Sequence, residues 1–148
     1  MLYNKSHKRN PMFLESVDNM FDQIIGQPPR LHLSPLQDLI EYRTLYLSLP
    51  RQTGKSQYIG EVSKMFSNPL IFTPSRRMGE ELFGKHRDGL ISIPSLIRNP
   101  DLLRGMRHKA DVFFFDEVHY DDAIKTLQLF DSITKGISRR CVVLGLKT

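Results

Sequence analysis

Two short stretches of the 148-residue chain carry residue types whose spacing suits phosphate chemistry. The first is Leu49-Pro50-Arg51-Gln52-Thr53-Gly54-Lys55-Ser56. It fits the phosphate-loop pattern G-x-x-x-x-G-K-[ST] with one departure, Leu49 in the first glycine position. Gly54 lets the backbone approach phosphate closely. The amides of Arg51, Gln52 and Thr53, with the start of the following helix, would cradle anionic charge. Lys55 would reach the β- and γ-phosphates of a nucleoside triphosphate, and the Ser56 hydroxyl would face Mg2+. The alternative is an ordinary strand–turn–helix with a solvent lysine.

The second stretch is Val112-Phe113-Phe114-Phe115-Asp116-Glu117. Two carboxylates at the tip of an apolar strand are costly unless they have partners or work. Asp116 would hold Mg2+, directly or through water, and Glu117 would act as general base on an attacking water. The plain alternative is a pair of acids capping the next turn.

The elements that must position these residues are legible from apolar spacing. Phe13, Val17, Met20, Phe21, Ile24 and Ile25 predict an amphipathic helix over Met12–Ile25, stopped by Gly26, Pro28 and Pro29. Ser34-Pro35 reads as an N-cap with proline in the first turn, opening a helix to Tyr42. Leu45–Leu49 reads as a buried strand, and Gly54–Phe66 as a helix with Ile59, Val62 and Phe66 on one face. Leu70–Thr73 is a strand, Ser75 caps a helix to Gly84, and Leu90–Ile93 is a further strand. Pro94–Arg107 is a basic helix or loop, and Val112–Phe115 a strand. Asp121 is expected to cap a helix to Lys135, and Cys141–Leu144 is the last strand. Apolar strands alternating with helices predict an α/β fold with a mainly parallel sheet covered on both faces. Ligands of such sheets bind at the carboxyl ends of the strands, where Pro50–Ser56, Asp116-Glu117 and Gly145–Thr148 all fall.

Composition bounds the rest. Apolar residues make up 40% and charged residues 25%, which is globular and neither disordered nor fibrous. No apolar run approaches the ~20 residues of a membrane span. Met1–Pro11 reads as a basic flexible arm, without the apolar segment of a secretory signal. One cysteine, Cys141, excludes an internal disulfide framework and suits a reducing cytoplasm. It is expected to pack in its strand. The five histidines show no metal-ligand spacing. The net charge is +5, and residues 76–109 supply most of it with 8 basic and 4 acidic groups. Arg76, Arg77 and Arg107 are therefore candidate nucleic-acid contacts, the alternative being a solvated surface.

Taken together, the two motifs resemble the ATPase domain of the large terminase subunit of tailed phages. Those proteins commonly replace the first loop glycine and carry Arg-Gln-x-Gly-Lys-Ser/Thr, as in Arg51–Ser56 here. The resemblance extends to Pro35-Leu36-Gln37, where Gln37 would contact adenine. It includes Arg104-Gly105 ahead of the acidic strand and, loosely, a coupling motif at Gly145-Leu146-Lys147-Thr148. It implies a three-layer αβα P-loop NTPase with ATP and Mg2+ as cofactors. Arg51 would sense the γ-phosphate, its alternative being a surface ion pair. Further implied are double-stranded DNA as partner, a homo-oligomeric ring or larger motor, a portal or nuclease partner chain, and the host cytoplasm as location. Residues 12–148 would form this domain, with no room for the nuclease domain that terminases continue into. The chain would then be a stand-alone relative or one piece of a split protein.

A second reading rests on Asp116-Glu117-Val118-His119, which resembles the D-E-x-H box of nucleic-acid helicases. There His119 would couple nucleotide state to the strand, or it is simply a packed or solvent histidine. A third reading is a nucleotide-dependent binding or regulatory module of a larger motor.

Overall fold

The computed structural model describes residues 12–46, 55–85, 89–103, 110, 112–134, 137 and 142–146. Arg51, Gln52, Thr53, Gly54, Arg104, Gly105, Arg107, Cys141, Lys147, Thr148 and the basic arm lie outside the described residues.

The strands are β1 (Thr44–Tyr46), β2 (Pro69–Thr73), β3 (Leu90–Ser92), β4 (Val112–Phe115) and β5 (Val142–Leu146). The helices are α1 (Met12–Gly26), α2 (Pro35–Tyr42), α3 (Lys55–Ser63), α4 (Arg76–Phe83), α5 (Ile93–Arg98) and α6 (Tyr120–Thr134), with a 3-10 turn at Pro100–Leu103. All five strands form one parallel sheet in the order β1-β5-β4-β2-β3. This is the α/β arrangement expected from apolar strands that show no alternation.

The side chains of β4 explain the layering. Successive strand residues point to opposite faces. Val112 and Phe114 pack with Phe21 of α1, Tyr58, Ile59 and Val62 of α3, and Phe66. Phe113 and Phe115 pack on the other side with Leu39 of α2, Leu96 of α5 and Leu127 and Phe130 of α6. Stacked rings bind β4 to β2 on that face, Phe72 lying 5.0 Å from Phe115. Phe113 meets Phe130 edge-on at 5.0 Å. Helices thus cover both faces of the sheet, in accord with a three-layer architecture.

Local chemistry sets the helix ends. Ser34 accepts from the Gln37 amide at 3.2 Å, and the Gln37 side chain accepts from the Ser34 amide at 3.4 Å, a capping box ahead of Pro35. The connection from α1 is held by polar groups. Asp38 is fully buried and accepts from the Arg30 amide at 3.2 Å, while Arg43, 2% exposed, donates to the Gln27 carbonyl at 3.1 Å. Buried charges persist when partnered in this way.

Four expectations need correction. The helix expected to reach Phe66 ends at Ser63, since the amides of Lys64, Met65 and Phe66 donate to carbonyls three residues back, as in turns. The sixth helix begins at Tyr120, because the His119 carbonyl accepts its first bond, from the Ala123 amide at 3.0 Å; Asp121 lies in the first turn and is not the cap. The last strand runs to Leu146, so Gly145 and Leu146 belong to the sheet and not to a loop beyond it. Ile93 opens α5 rather than closing β3, because Ser92 caps that helix by accepting from the Ser95 amide at 3.3 Å.

Candidate functional site

The two chemistry-bearing stretches meet at the carboxyl edge of the sheet. Asp116 follows β4 directly, and its amide still donates to the Phe72 carbonyl at 3.0 Å, so the ladder holds it in register. The alternation that sends Val112 and Phe114 toward α3 also sends Asp116 there. Ser56, the second residue of α3, donates through Oγ to Asp116 Oδ2 at 2.6 Å. Asp116 is fully buried and Ser56 half-buried. Such a short bond from hydroxyl to carboxylate is of the strong, charge-assisted kind.

The strand order makes this contact a demanding one. β5 stands between β1 and β4, so the strand axes of β1 and β4 are roughly 10 Å apart. The N-terminal turn of α3 bridges that gap. Lys55 begins α3, which puts the Lys-Ser pair at the positive end of the helix dipole.

α3 is anchored from behind. The Tyr58 hydroxyl, fully buried, donates to Asp18 of α1 at 2.6 Å, and Phe66 packs at 5.9 Å from Phe21 and at 6.2 Å from Phe114. The face that holds Ser56 against Asp116 is therefore fixed by apolar packing and by one buried hydrogen bond.

Glu117 has a backbone φ of +59°, and no other non-glycine among the described residues has a positive value. A left-handed conformation costs an ordinary L-residue about 1–2 kcal/mol. It turns the chain sharply off β4, and the turn is closed by Val118, which is 3% exposed in the core beneath α6. Strain of this kind is concentrated at functional positions.

Gln37 is exposed, and its side chain is engaged in the capping box described above. His119 is exposed at the start of α6. Arg76 and Arg77 stand on α4 and pair with Glu80 (2.9 Å) and Glu81 (3.1 Å) one turn on. Such exposed pairs contribute only about 0.3–0.5 kcal/mol, so they offer little resistance to a competing anion.

A second polar feature places Arg76 in a setting that its spacing did not announce. A cleft of about 300 Å³ opens at the carboxyl ends of β2 and β3, bordered by Thr73, Arg76, Glu80, Lys85, Ser92 and Ser95. The signal that could have found it is the hydroxyl residue ending each strand, Thr73 and Ser92. No group of three or more His, Cys, Asp or Glu that could hold a metal occurs among the described residues. Mg2+ needs none, since it takes one or two protein oxygens and fills its shell with water and phosphate. No helix of the described residues is long and apolar enough to cross a membrane.

Compared with known protein families and with curated proteins, the chain matches none.

Proposed function

We propose that this chain is a P-loop ATPase of the terminase type, hydrolysing ATP with Mg2+ and coupling that hydrolysis to movement along double-stranded DNA. The observation that carries the reading is the 2.6 Å contact of Ser56 with Asp116, which joins the Gly-Lys-Ser and Asp-Glu stretches across an intervening strand. The chemistry of this pair fits Mg2+: a hydroxyl and a carboxylate, both hard oxygen donors, stand side by side at the edge of a parallel sheet. Ser56 and Asp116 would hold the ion. Bound there, Mg2+ would neutralise charge on the β- and γ-phosphate oxygens.

The chain's own groups have the following tasks. The loop Arg51–Gly54 and the first turn of α3 bind the phosphates, with Lys55 supplying positive charge and Arg51 a second cation at the γ-phosphate. Gln37 would recognise the adenine. Glu117 accepts the proton of the attacking water at its carboxylate. The turn that places it is anchored on both sides, Asp116 being laddered to β2 and Val118 buried in the core. His119 and Thr148 would relay the nucleotide state, and a ring of such chains would engage the duplex.

The deciding experiment is ATP turnover with and without duplex DNA, for wild type and Glu117→Gln. Turnover that requires Mg2+, rises with DNA and is lost in the variant supports the motor. Absence of turnover in the wild type under all conditions overturns it.

A further inference from the structure

The cleft at the ends of β2 and β3 is continuous with the candidate catalytic edge. Thr73 pairs in register with Ser92. Phe72 pairs with Phe115, and the Asp116 amide donates to the Phe72 carbonyl, so the next rung sets Thr73 beside Asp116. Asp116, Thr73 and Ser92 therefore form one polar row across three neighbouring strands, and all three are buried. A buried polar row at this edge is costly without hydrogen bonds. Each side chain has one: Asp116 with Ser56, Thr73 with the Ser75 carbonyl (2.9 Å), and Ser92 with Ser95 Oγ (2.6 Å).

We propose that this cleft is a binding site for a phosphate group, and that Thr73 is the positioning residue that carries its occupancy to Asp116 and Glu117. The second half rests on the hydrolase reading, while the first half stands without it. The cleft offers what a phosphate needs: the guanidinium of Arg76, the ammonium of Lys85, and the hydroxyls of Ser92 and Ser95. Lys85 has no ion-pair partner among the described residues. Glu80 is the one carboxylate on the wall, and it is held by Arg76 through Nε, leaving the two terminal nitrogens of that guanidinium to a ligand. Arg77 does not border the cleft.

Transmission follows from the packing of α4. The Thr73 hydroxyl holds the carbonyl of Ser75, the residue that caps α4. Gly79 lies so close above it that an added Cβ would stand 2.8 Å from Thr73 Oγ1. A phosphate drawn onto Arg76 pulls on the first turn of α4. That turn is fastened to the sheet at Thr73, the lateral neighbour of Asp116. The phosphate could belong to a nucleic-acid backbone or be a free ion.

The test uses NMR titration of the full chain without nucleotide, with inorganic phosphate in one arm and a short single-stranded oligonucleotide in the other. The expected result is resonance shifts at Arg76, Ser92 and Ser95, with affinity for the preferred probe falling about tenfold in Arg76→Ala and in Lys85→Ala. Tighter binding of the oligonucleotide than of phosphate identifies the backbone as the source, and equal binding identifies the free ion. Shifts confined to other surfaces, or an equal loss in Arg77→Ala, overturn the site. For the relay, saturating probe should move the Asp116 and Glu117 amide resonances in wild type and in Thr73→Ser, and not in Thr73→Val. A response that persists in Thr73→Val removes Thr73 from the pathway. Both readouts are independent of ATP turnover, so failure of the hydrolase reading and failure of this proposal are distinguishable.

Discussion

Ser56 Oγ and Asp116 Oδ2 lie 2.6 Å apart although 60 positions separate them in the chain. The bond draws a helix N-terminus against the tip of a buried strand two sheet positions away. It is a structural tie and, in the proposed reading, the place where a cation would enter, and the two roles can be separated by substitution.

Asp116→Asn keeps the shape and leaves an amide oxygen to accept from Ser56. We expect unfolding free energy within about 1 kcal/mol of wild type. If the proposed hydrolase reading holds, Mg2+-dependent ATP turnover should fall at least about a hundredfold, since a neutral ligand would replace the charge proposed to hold the ion. Denaturant titration and a turnover assay on the same preparation check the pair of outcomes.

Ser56→Ala removes a donor from a fully buried carboxylate. The expected cost is about 1–3 kcal/mol, read from the urea midpoint. Added Mg2+ with nucleotide should recover part of that loss through binding to the native state. A variant as stable as wild type would show that the hydroxyl contributes nothing to the tie.

Glu117 allows strain and chemistry to be told apart. Glu117→Gly relieves the left-handed backbone at φ +59° and should stabilise the fold by about 1 kcal/mol while abolishing turnover. Glu117→Gln keeps the strained backbone, so its stability should match wild type, with turnover lost by about a hundredfold or more. Thermal unfolding of the two variants side by side reads the difference.

Tyr58→Phe deletes the hydroxyl that donates to Asp18 and leaves the ring in place. A loss of about 1 kcal/mol is expected, together with faster hydrogen exchange in α1 than in α6. Uniform exchange in both helices would mean that this bond does not fasten α1.

Gly79→Ala tests the packing of α4 on the sheet. The new methyl would meet Thr73 Oγ1 at 2.8 Å and a Leu90 methyl at 3.2 Å. The higher helix propensity of alanine, about 1 kcal/mol, is expected to be outweighed by overpacking of about 1–3 kcal/mol. A net stabilisation in calorimetry would show that α4 can lift away freely.

Much of the framework was readable because it depends on local pattern. Four consecutive apolar residues gave β4 its observed bounds, and Ser34-Pro35 marked the start of α2. What was not readable depends on partners distant in sequence. Nothing local says that β5 lies between β1 and β4. Asp38 and Arg43 look like surface charges, yet both are buried, because Arg30 and Gln27 reach them from the preceding turn. Arg76 and Arg77 look equivalent as neighbours. One helix residue turns about 100° from the next, and only Arg76 borders the cleft. The left-handed turn at Glu117 runs against the preference of its residue type, so no propensity could announce it. For the candidate site, residue types could nominate Ser56 and Asp116, and only the fold could bring them into contact.

The position of β5 also bears on the order in which the sheet is expected to assemble. Among the described strands β1 pairs with β5 alone, and β5 is the last of the five to leave the ribosome. Until it inserts, β4, β2 and β3 can associate, while the strand leading to Ser56 has no seat in the sheet. A nascent chain can therefore acquire most of its core before the two halves of the site are locked together. Closing that gap late, through a contact of long sequence separation, is a slow step. The Ser56–Asp116 contact is therefore expected to close only after β5 has docked between β1 and β4.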